Sequence, residues 1–183
     1  MSKGIKILGF AGSLRRNSFN KAALREAQEL VPDGANLEIF DLAPIPFFNE
    51  DVEAQGYPPA VAEFRSAIAA ADALLLVTPE YNYSIPPVLK NALDWASRGK
   101  DSPLSGKPAA IMSASIGMLG GVRAQYHLRQ VGVILNLQFL NRPEVFIAGA
   151  AKKFDQEGRL TDEPTREVIR KLLNALVEQA GKA

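Results

Sequence analysis

The chain has 183 residues, of which 47% are hydrophobic and 22% are charged, shares that are typical of a globular protein and exclude a disordered or fibrous one. Lysine and arginine number 21 and aspartate and glutamate 20, so a net charge of +1 gives no long-range attraction to nucleic acid or to an anionic membrane. The absence of cysteine excludes disulfides, thiolate nucleophiles and iron–sulfur clusters, and the single histidine, His127, excludes a multi-histidine metal site.

Apolar runs and helical patterns alternate along the chain, which is the pattern of βαβ units. The apolar runs are continuous, as expected for strands that are buried on both faces of a parallel sheet. In chain order the sequence predicts a strand at 5–10, a helix at 19–30, a strand at 37–40, a helix at 61–71, a strand at 73–78, a helix at 86–97, a strand at 108–115, a helix from 122, a strand within 138–147 and a helix from 161.

Three local signals add to these predictions. A proline-rich stretch at 43–56 predicts a loop, and residues 141–143 interrupt the fifth strand. Thr161 is predicted as the N-cap of the last helix. Five strands and five helices together predict an α/β fold, with a doubly wound five-stranded parallel sheet in a three-layer α/β/α sandwich formed by one domain over 1–183.

We expect no targeting segment at the start of the chain. Residues 1–4 lead directly into the first predicted strand, without the charged and apolar regions of a signal peptide. The longest apolar runs are far shorter than a membrane span. We therefore expect a cytoplasmic protein without metal, membrane or nucleic-acid partners.

Three loops are expected to form a functional site, because ligands of open α/β sheets bind outside the carboxyl ends of the strands. The first loop, 12–20, reads GSLRRNSFN and lies between a strand and a helix N-terminus, where free N–H groups favour an anion. Its hydroxyl, amide and guanidinium groups suit a phosphate: Ser13, Ser18, Asn20 and Arg15. The GxGxxG and Walker A patterns are absent. In the alternative interpretation, Ser18 and Asn17 only cap the helix and the arginines are solvated.

The second loop suits a flat ligand, and the third allows a close approach to its backbone. The second loop, 78–86, reads TPEYNYSIP, and its prolines stiffen a backbone on which Tyr81 or Tyr83 can cover a ring, unless these tyrosines only seal the edge of the core. The third loop, 115–121, reads SIGMLGG, and its glycines allow a close approach to the backbone. His127 is expected on a helix flank, and one histidine does not make a serine–histidine–acid triad. We therefore expect a cofactor to carry the chemistry.

Together these motifs resemble those of the NADPH-dependent FMN reductase family, which has a flavodoxin-like fold. The phosphate loop of the family resembles 12–20, and its flavin loop resembles 78–86 followed by LKNALD at 89–94. The resemblance covers most of the chain, since it extends to 106–108, 120–121 and 129–130. Within the family, the sequence is most similar to the quinone and chromate reductases.

The resemblance implies a role in FMN binding for ten residues. Four are expected to hold the FMN phosphate: Ser13, Arg15, Ser18 and Asn20. Four are expected to line the isoalloxazine and the ribityl chain, largely through backbone groups: Pro79, Glu80, Tyr81 and Asn82. Two are expected to close the far side of the flavin: Ser115 and Gly117.

The reaction that the resemblance implies is ping-pong hydride transfer through bound FMN, from NADPH or NADH to quinones, chromate, azo compounds or free flavins. A homodimer or homotetramer is also implied, and Arg123, Tyr126 and Glu144 are similar to positions used at such interfaces. One alternative is a flavodoxin-type electron carrier, which the net charge of +1 disfavours because such carriers are acidic and dock on basic partners. The other alternative is a flavin-loaded regulatory protein.

Overall fold

The computed structural model describes residues 4–182 and contains a sheet of six strands flanked by helices. The strands are β1 (Ile5–Ala11), β2 (Ala35–Phe40), β3 (Ala73–Thr78), β4 (Pro108–Ala114), β5 (Gln138–Phe139) and β6 (Val145–Ile147). The helices are α1 (Phe19–Glu29), α2 (Glu50–Glu53), α3 (Pro59–Ala70), α4 (Pro87–Ser97), α5 (Val122–Ile134) and α6 (Glu163–Ala180), with one 3₁₀ turn at Ala150–Lys152. Within residues 4–182, no helix is both long and apolar enough to cross a membrane. Residues 1–3, which the prediction of no signal peptide includes, and residue 183 lie outside the described range.

The strand order confirms the predicted doubly wound α/β fold. The order is β2–β1–β3–β4–β5, with β6 also paired to β4, and all of these pairs are parallel. This is the order of flavodoxin-like folds, in which the chain winds to one edge of the sheet and then to the other. Because β1, β3 and β4 are neighbours, the loops that follow these three strands meet at one edge of the sheet.

The fifth strand differs from the prediction, since β5 and β6 share its place beside β4. β5 pairs with residues 108–109 and β6 pairs with residues 112–114. The interruption at 141–143 separates the two. Pro143 has no N–H group and is unable to donate to a strand ladder, which gives a physical reason for the break.

Alternate residues of each strand face two different helix layers. Ile7 and Leu75 belong to a buried cluster with side chains of α1 and α6. Leu8 and Leu74, their chain neighbours, belong to a second cluster with side chains of α3, α4 and α5. The sheet is therefore buried on both faces, which explains why its strands read as continuous apolar runs.

Two local predictions were wrong. The stretch predicted as a loop at 43–56 contains the short helix α2, where Oδ1 of Asn49 accepts a hydrogen bond from the N–H of Asp51 at 2.8 Å. The N-cap of α6 is Asp162, one residue after the predicted Thr161, and its Oδ2 accepts a hydrogen bond from the N–H of Thr165 at 3.1 Å. A carboxylate is favoured there because it also meets the positive end of the helix dipole.

We expect Asp162→Ala to lower the free energy of unfolding by about 1 kcal/mol at pH 7, since α6 loses its capping acceptor. Hydrogen bonds from the Thr165 hydroxyl and the Lys153 ammonium lower the pKa of the Asp162 carboxyl. The contribution is therefore present above the pKa of an unfolded aspartate and is lost as the pH falls through the lower folded-state pKa. Urea unfolding of the wild type and of Asp162→Ala over a range of pH should show that the difference between their free energies of unfolding decreases in acid.

Thr161→Ala is the control for this measurement. Oγ1 of Thr161 donates one exposed hydrogen bond, at 3.1 Å, to the Lys153 carbonyl, so we expect the smaller loss for this variant. A larger loss for Thr161→Ala than for Asp162→Ala would mean that Thr161 caps the helix.

Candidate functional site

A cleft of about 290 Å³ opens at the sheet edge where the loops after β1, β3 and β4 meet. The first two loops pack directly against each other, and Gly12 makes this possible. A Cβ atom at Gly12 would lie 2.6 Å from Cγ of Pro86, closer than real side chains approach. The N–H of Gly12 also donates to the Val77 carbonyl at 2.9 Å.

Eight of the ten residues predicted to bind a cofactor line this cleft: Ser13, Arg15, Ser18, Asn20, Pro79, Glu80, Tyr81 and Ser115. Asn82 and Gly117 do not line it. Three lining residues that the sequence did not single out are Phe19, Ala114 and Ile116. Each of these is the chain neighbour of a predicted site residue, which is the signal that could have found it.

Several hydrogen-bond donors of the first loop have no acceptor within the described part of the protein. Within residues 4–182, the backbone N–H groups of 13–18 donate to no protein acceptor. The Arg15 guanidinium has no carboxylate partner in that range and lies 5.7 Å from the centre of the Phe19 ring. Several donors that converge at the start of a helix are suited to an anion with several oxygen atoms.

Ser18 caps α1, as the alternative interpretation of the sequence expected, whereas Asn17, which that interpretation also named, is not the cap. Its Oγ accepts hydrogen bonds from the N–H groups of Asn20, at 3.2 Å, and Lys21, at 3.4 Å. A hydroxyl that accepts in this way keeps its own proton for another acceptor. Capping and ligand binding by Ser18 are therefore compatible.

Asn20 connects the first loop to the end of β4. Its Nδ2 donates to the Ala114 carbonyl and its Oδ1 accepts from the Ala114 N–H, both at 2.9 Å. The Asn20 side chain is buried. One Nδ2 proton remains for a ligand, so most of the hydrogen-bonding capacity of this amide serves the fold.

A tight turn forms the rim of the second loop. Two backbone hydrogen bonds, at 2.9 and 3.0 Å, join Tyr81 and Ser84. Between them, Asn82 and Tyr83 have φ angles of 48° and 69°, as in a type I′ turn. A left-handed backbone is uncommon for tyrosine, and the Arg123 guanidinium lies 3.9 Å from the centre of the Tyr83 ring. Contacts from α5 therefore support a strained turn.

Glu80 caps α5 from a distant part of the chain. The N-cap residue of that helix, Gly121, has a φ of 89° and no side chain to cap with. Glu80 Oε2 accepts hydrogen bonds from the N–H groups of Arg123, at 3.0 Å, and Ala124, at 3.3 Å, while Oε1 accepts from the Arg123 guanidinium at 3.1 Å. The Glu80 carboxylate is thus used within the protein, where it meets the positive end of α5.

The glycine-rich third loop lies close against β4. A Cβ atom at Gly121 would lie 2.8 Å from Cβ of Ser113, so only glycine fits there. The Ser115 Oγ accepts a hydrogen bond from the N–H of Gly117 at 3.1 Å, and the N–H of Ser115 donates to the Ile147 carbonyl at 3.0 Å. The first residue of this loop is therefore held to β6, and its last residue packs against β4.

The residues predicted at a subunit interface lie on or near α5. Arg123 is paired with Glu80, whereas Tyr126 and Glu144 are exposed. His127 is exposed on the same helix, and its Nδ1 lies 3.0 Å from Oγ of Ser84. Among residues 4–182, no three histidine, aspartate or glutamate side chains come together as metal ligands.

Comparisons with known proteins indicate the same family that the sequence motifs resemble. The sequence pattern of the NADPH-dependent FMN reductase family matches residues 5–152. The chain is 58% identical to an NAD(P)H-dependent FMN reductase of Pseudomonas aeruginosa, covering 96% of this chain and 95% of that one, and 48% identical to an NAD(P)H:quinone oxidoreductase of Solanum tuberosum, covering 97% and 94%. The structure matches a flavoenzyme NAD(P)H:(acceptor) oxidoreductase of Paracoccus denitrificans with a TM-score of 0.88 and 31% identity, over 97% of this chain and 98% of that one.

We expect Glu80→Ala to lower the free energy of unfolding by about 1–2 kcal/mol, since α5 loses its capping acceptor and the half-exposed Arg123 loses its partner. Glu80→Gln keeps one acceptor oxygen, so its free energy of unfolding should fall by less. Urea unfolding gives both values. Glu63→Ala, which removes an exposed carboxylate of α3 that forms no ion pair within residues 4–182, is the matched control. Equal stability of Glu80→Ala and Glu63→Ala would contradict the capping role.

Proposed function

This chain belongs to the NADPH-dependent FMN reductase family, and from that premise we propose that it reduces quinones with NADPH or NADH through FMN bound in the cleft. The observation that carries the proposal is the meeting of an anion-binding loop with a stiff, tyrosine-bearing loop in one cleft. We also propose that chromate, azo compounds and free flavins serve as acceptors. We further propose that the chain forms a single domain and that the protein is cytoplasmic.

The donors of the first loop fit the phosphate of FMN. The phosphate carries close to two negative charges and three acceptor oxygens, which require several donors at once. The loop supplies the Ser13 and Ser18 hydroxyls, the Arg15 guanidinium and the N–H groups of 13–18 at the positive end of α1. The Glu80 carboxylate also belongs to the cleft lining but is neutralised by Arg123, so it does not oppose an anion.

The other side of the cleft fits a planar ring. Pro79 is buried, while Tyr81 and Ile116 expose 46% and 73% of their surfaces beside it. A ring placed against them would remove apolar surface from water, which favours binding. Asn82 and Gly117 adjoin lining residues and remain part of the proposed binding set, although the cleft lining does not include them.

FMN, when bound, supplies the group that accepts and donates hydride. The side chains of the cleft would bind the cofactor and orient it. Ser13 and Ser18 have no histidine base, because the one histidine of the chain is bonded to Ser84, so neither serine is set up as a nucleophile. The turn from Tyr81 to Ser84 is held by α5 independently of any ligand, so its groups are oriented before binding.

A homodimer or homotetramer is the proposed assembly. Large apolar side chains are exposed beside the cleft: Tyr81, Tyr83, Ile116, Met118, Leu119 and Tyr126. Patches of this kind mark interaction surfaces in soluble proteins. A second copy packed on this face would bring Arg123, Tyr126 and Glu144 into its interface and narrow the entrance to the cleft.

We expect ping-pong kinetics, because the nucleotide and the quinone are proposed to occupy the same open face of the cleft in turn. Steady-state rates of the FMN-loaded protein, with NADPH or NADH against a small quinone, should give parallel double-reciprocal lines. Lines that intersect at all concentrations would show a ternary complex. Rapid oxidation of the nucleotide only with a partner protein would indicate an electron carrier, and turnover far below that of ordinary enzymes would indicate a regulatory protein.

We expect Arg15→Ala to weaken FMN binding about 10- to 150-fold, the effect of removing a hydrogen bond to a charged group worth about 1.5–3 kcal/mol. Riboflavin has the ring and the ribityl chain but no phosphate, so its affinity should change less than about threefold. Quenching of flavin fluorescence measures both dissociation constants.

Arg16→Ala is the matched control for Arg15→Ala. Arg16 belongs to the same loop but does not line the cleft, so we expect its replacement to leave FMN affinity within about threefold of wild type. Equal losses for FMN and riboflavin in Arg15→Ala would mean that Arg15 supports the loop and does not bind the phosphate.

A further inference from the structure

A buried hydroxyl lies directly behind the second loop. Thr78 is the last residue of β3 and is fully buried, so its hydroxyl needs a partner within the protein. Its Oγ1 donates a hydrogen bond to the carbonyl of the next residue, Pro79, at 2.8 Å. The direction of this bond is certain, because a carbonyl oxygen only accepts. The Pro79 carbonyl is therefore held from inside the fold.

This bond also sets the direction of the next backbone N–H group. The peptide unit between Pro79 and Glu80 is trans, so its C=O and N–H groups point in opposite directions. The proline ring fixes φ at Pro79, which leaves ψ as the main torsion that turns this unit. Because Thr78 holds the carbonyl, the Glu80 N–H points away from Thr78.

The Glu80 N–H is a free donor at the wall of the cleft. Within residues 4–182 it donates to no protein acceptor, and both Glu80 and Pro79 line the cleft. Since Pro79 has no N–H, this group is the first backbone donor after β3. The rest of the segment is already bonded, since the Glu80 carboxylate caps α5 and the Tyr81 N–H donates to the Ser84 carbonyl at 2.9 Å. One unused donor is therefore held in a fixed direction.

We propose that Thr78 is a positioning residue, whose hydroxyl holds the Pro79–Glu80 peptide so that the Glu80 N–H donates to the polar edge of the flavin ring. The proposal rests on the proposed function, in which Pro79 and Tyr81 lie on the side of the cleft that takes the ring. A donor in a fixed direction stabilises charge without reorganising first. Since hydride brings negative charge to the ring, this donor should favour the reduced form.

Thr78→Val tests the proposal through FMN affinity, because valine replaces the hydroxyl with a methyl group of similar size. Without the hydroxyl the peptide is free to turn, and the Glu80 N–H is no longer held toward the ring. Affinity for oxidised FMN should fall about 2- to 12-fold, the effect of losing a hydrogen bond between neutral groups. Riboflavin has the same ring and should lose as much. Quenching of flavin fluorescence measures both affinities.

The reduction potential of the bound FMN gives a readout that a merely structural role would not move. Affinity for the reduced, negatively charged ring should fall about 10- to 150-fold in Thr78→Val, because hydrogen bonds to charged groups are stronger. A loss that is about tenfold greater for reduced than for oxidised FMN lowers the two-electron midpoint potential by about 30 mV. Reductive titration against a reference dye measures this shift.

Thr78→Ser and Thr165→Val are the control variants. Thr78→Ser keeps the hydroxyl, so it should retain the midpoint potential of the wild type and an FMN affinity within about threefold of it. Thr165 is a buried threonine near the start of α6, and its hydroxyl donates to the Asp162 carboxylate. Thr165→Val should lower the free energy of unfolding without changing either flavin property.

Hydrogen exchange of the wild-type amides needs no variant and, in the ligand-free protein, no flavin. Because the Glu80 N–H faces the cleft, it should exchange rapidly, whereas the Tyr81 N–H, which is bonded to Ser84, should exchange more slowly. Saturating FMN should slow exchange at Glu80 by about tenfold or more. Exchange of resolved amide signals in NMR spectra gives these rates.

Three results would overturn the proposal. A Glu80 amide that exchanges as slowly as that of Tyr81 in the ligand-free protein would place this N–H inside the fold. Unchanged FMN affinity and potential in Thr78→Val would show that the hydroxyl does not act on the ring. Equal changes in Thr78→Val and Thr78→Ser would assign the effect to side-chain packing. If the wild type binds no FMN, the proposed function fails, while rapid exchange at Glu80 would still support the orienting role of Thr78.

Discussion

The two hydrogen bonds between the Asn20 amide and the backbone of Ala114 hold the cleft together. They link the start of α1 to the end of β4, past β3, which lies between β1 and β4 in the sheet. The contact is buried, so removing the amide would leave two backbone groups without partners, which is costly in the interior. Because Ala114 directly precedes the third loop, the same pair sets the distance between the donors of the first loop and Ser115.

The N-terminus of α5 plays the matching role for the second loop. Glu80 caps that helix, Arg123 stacks over Tyr83, and His127 is bonded to Ser84. These three contacts offset the left-handed backbone of Asn82 and Tyr83, which on its own is unfavourable. The loop that is proposed to bind the flavin ring therefore has its shape before any ligand arrives, and less conformational entropy is lost on binding.

The distribution of charge matters more for this protein than its sum. A net charge of +1 predicts no long-range field around the molecule, yet Arg15, Arg16 and Lys21 at the start of α1 form no ion pair with a carboxylate in residues 4–182. α6 shows the opposite arrangement, since Arg166 and Arg170 are both paired with Glu163 on the same helix. Surface ion pairs of that kind contribute little stability, whereas unpaired cations at a positive helix end attract anionic ligands.

The sequence by itself determined those features that depend on residues close together in the chain. Continuous apolar runs located the buried strands, and the loops 12–20 and 78–86 identified the family and most of the cleft. Only the tertiary structure decided that Glu80 caps α5 and that Asn20 binds Ala114, because these partners are brought together by the packing of the sheet, which no local pattern records. The same holds for the unpaired arginines: whether a cation is free depends on the position of every carboxylate in the fold.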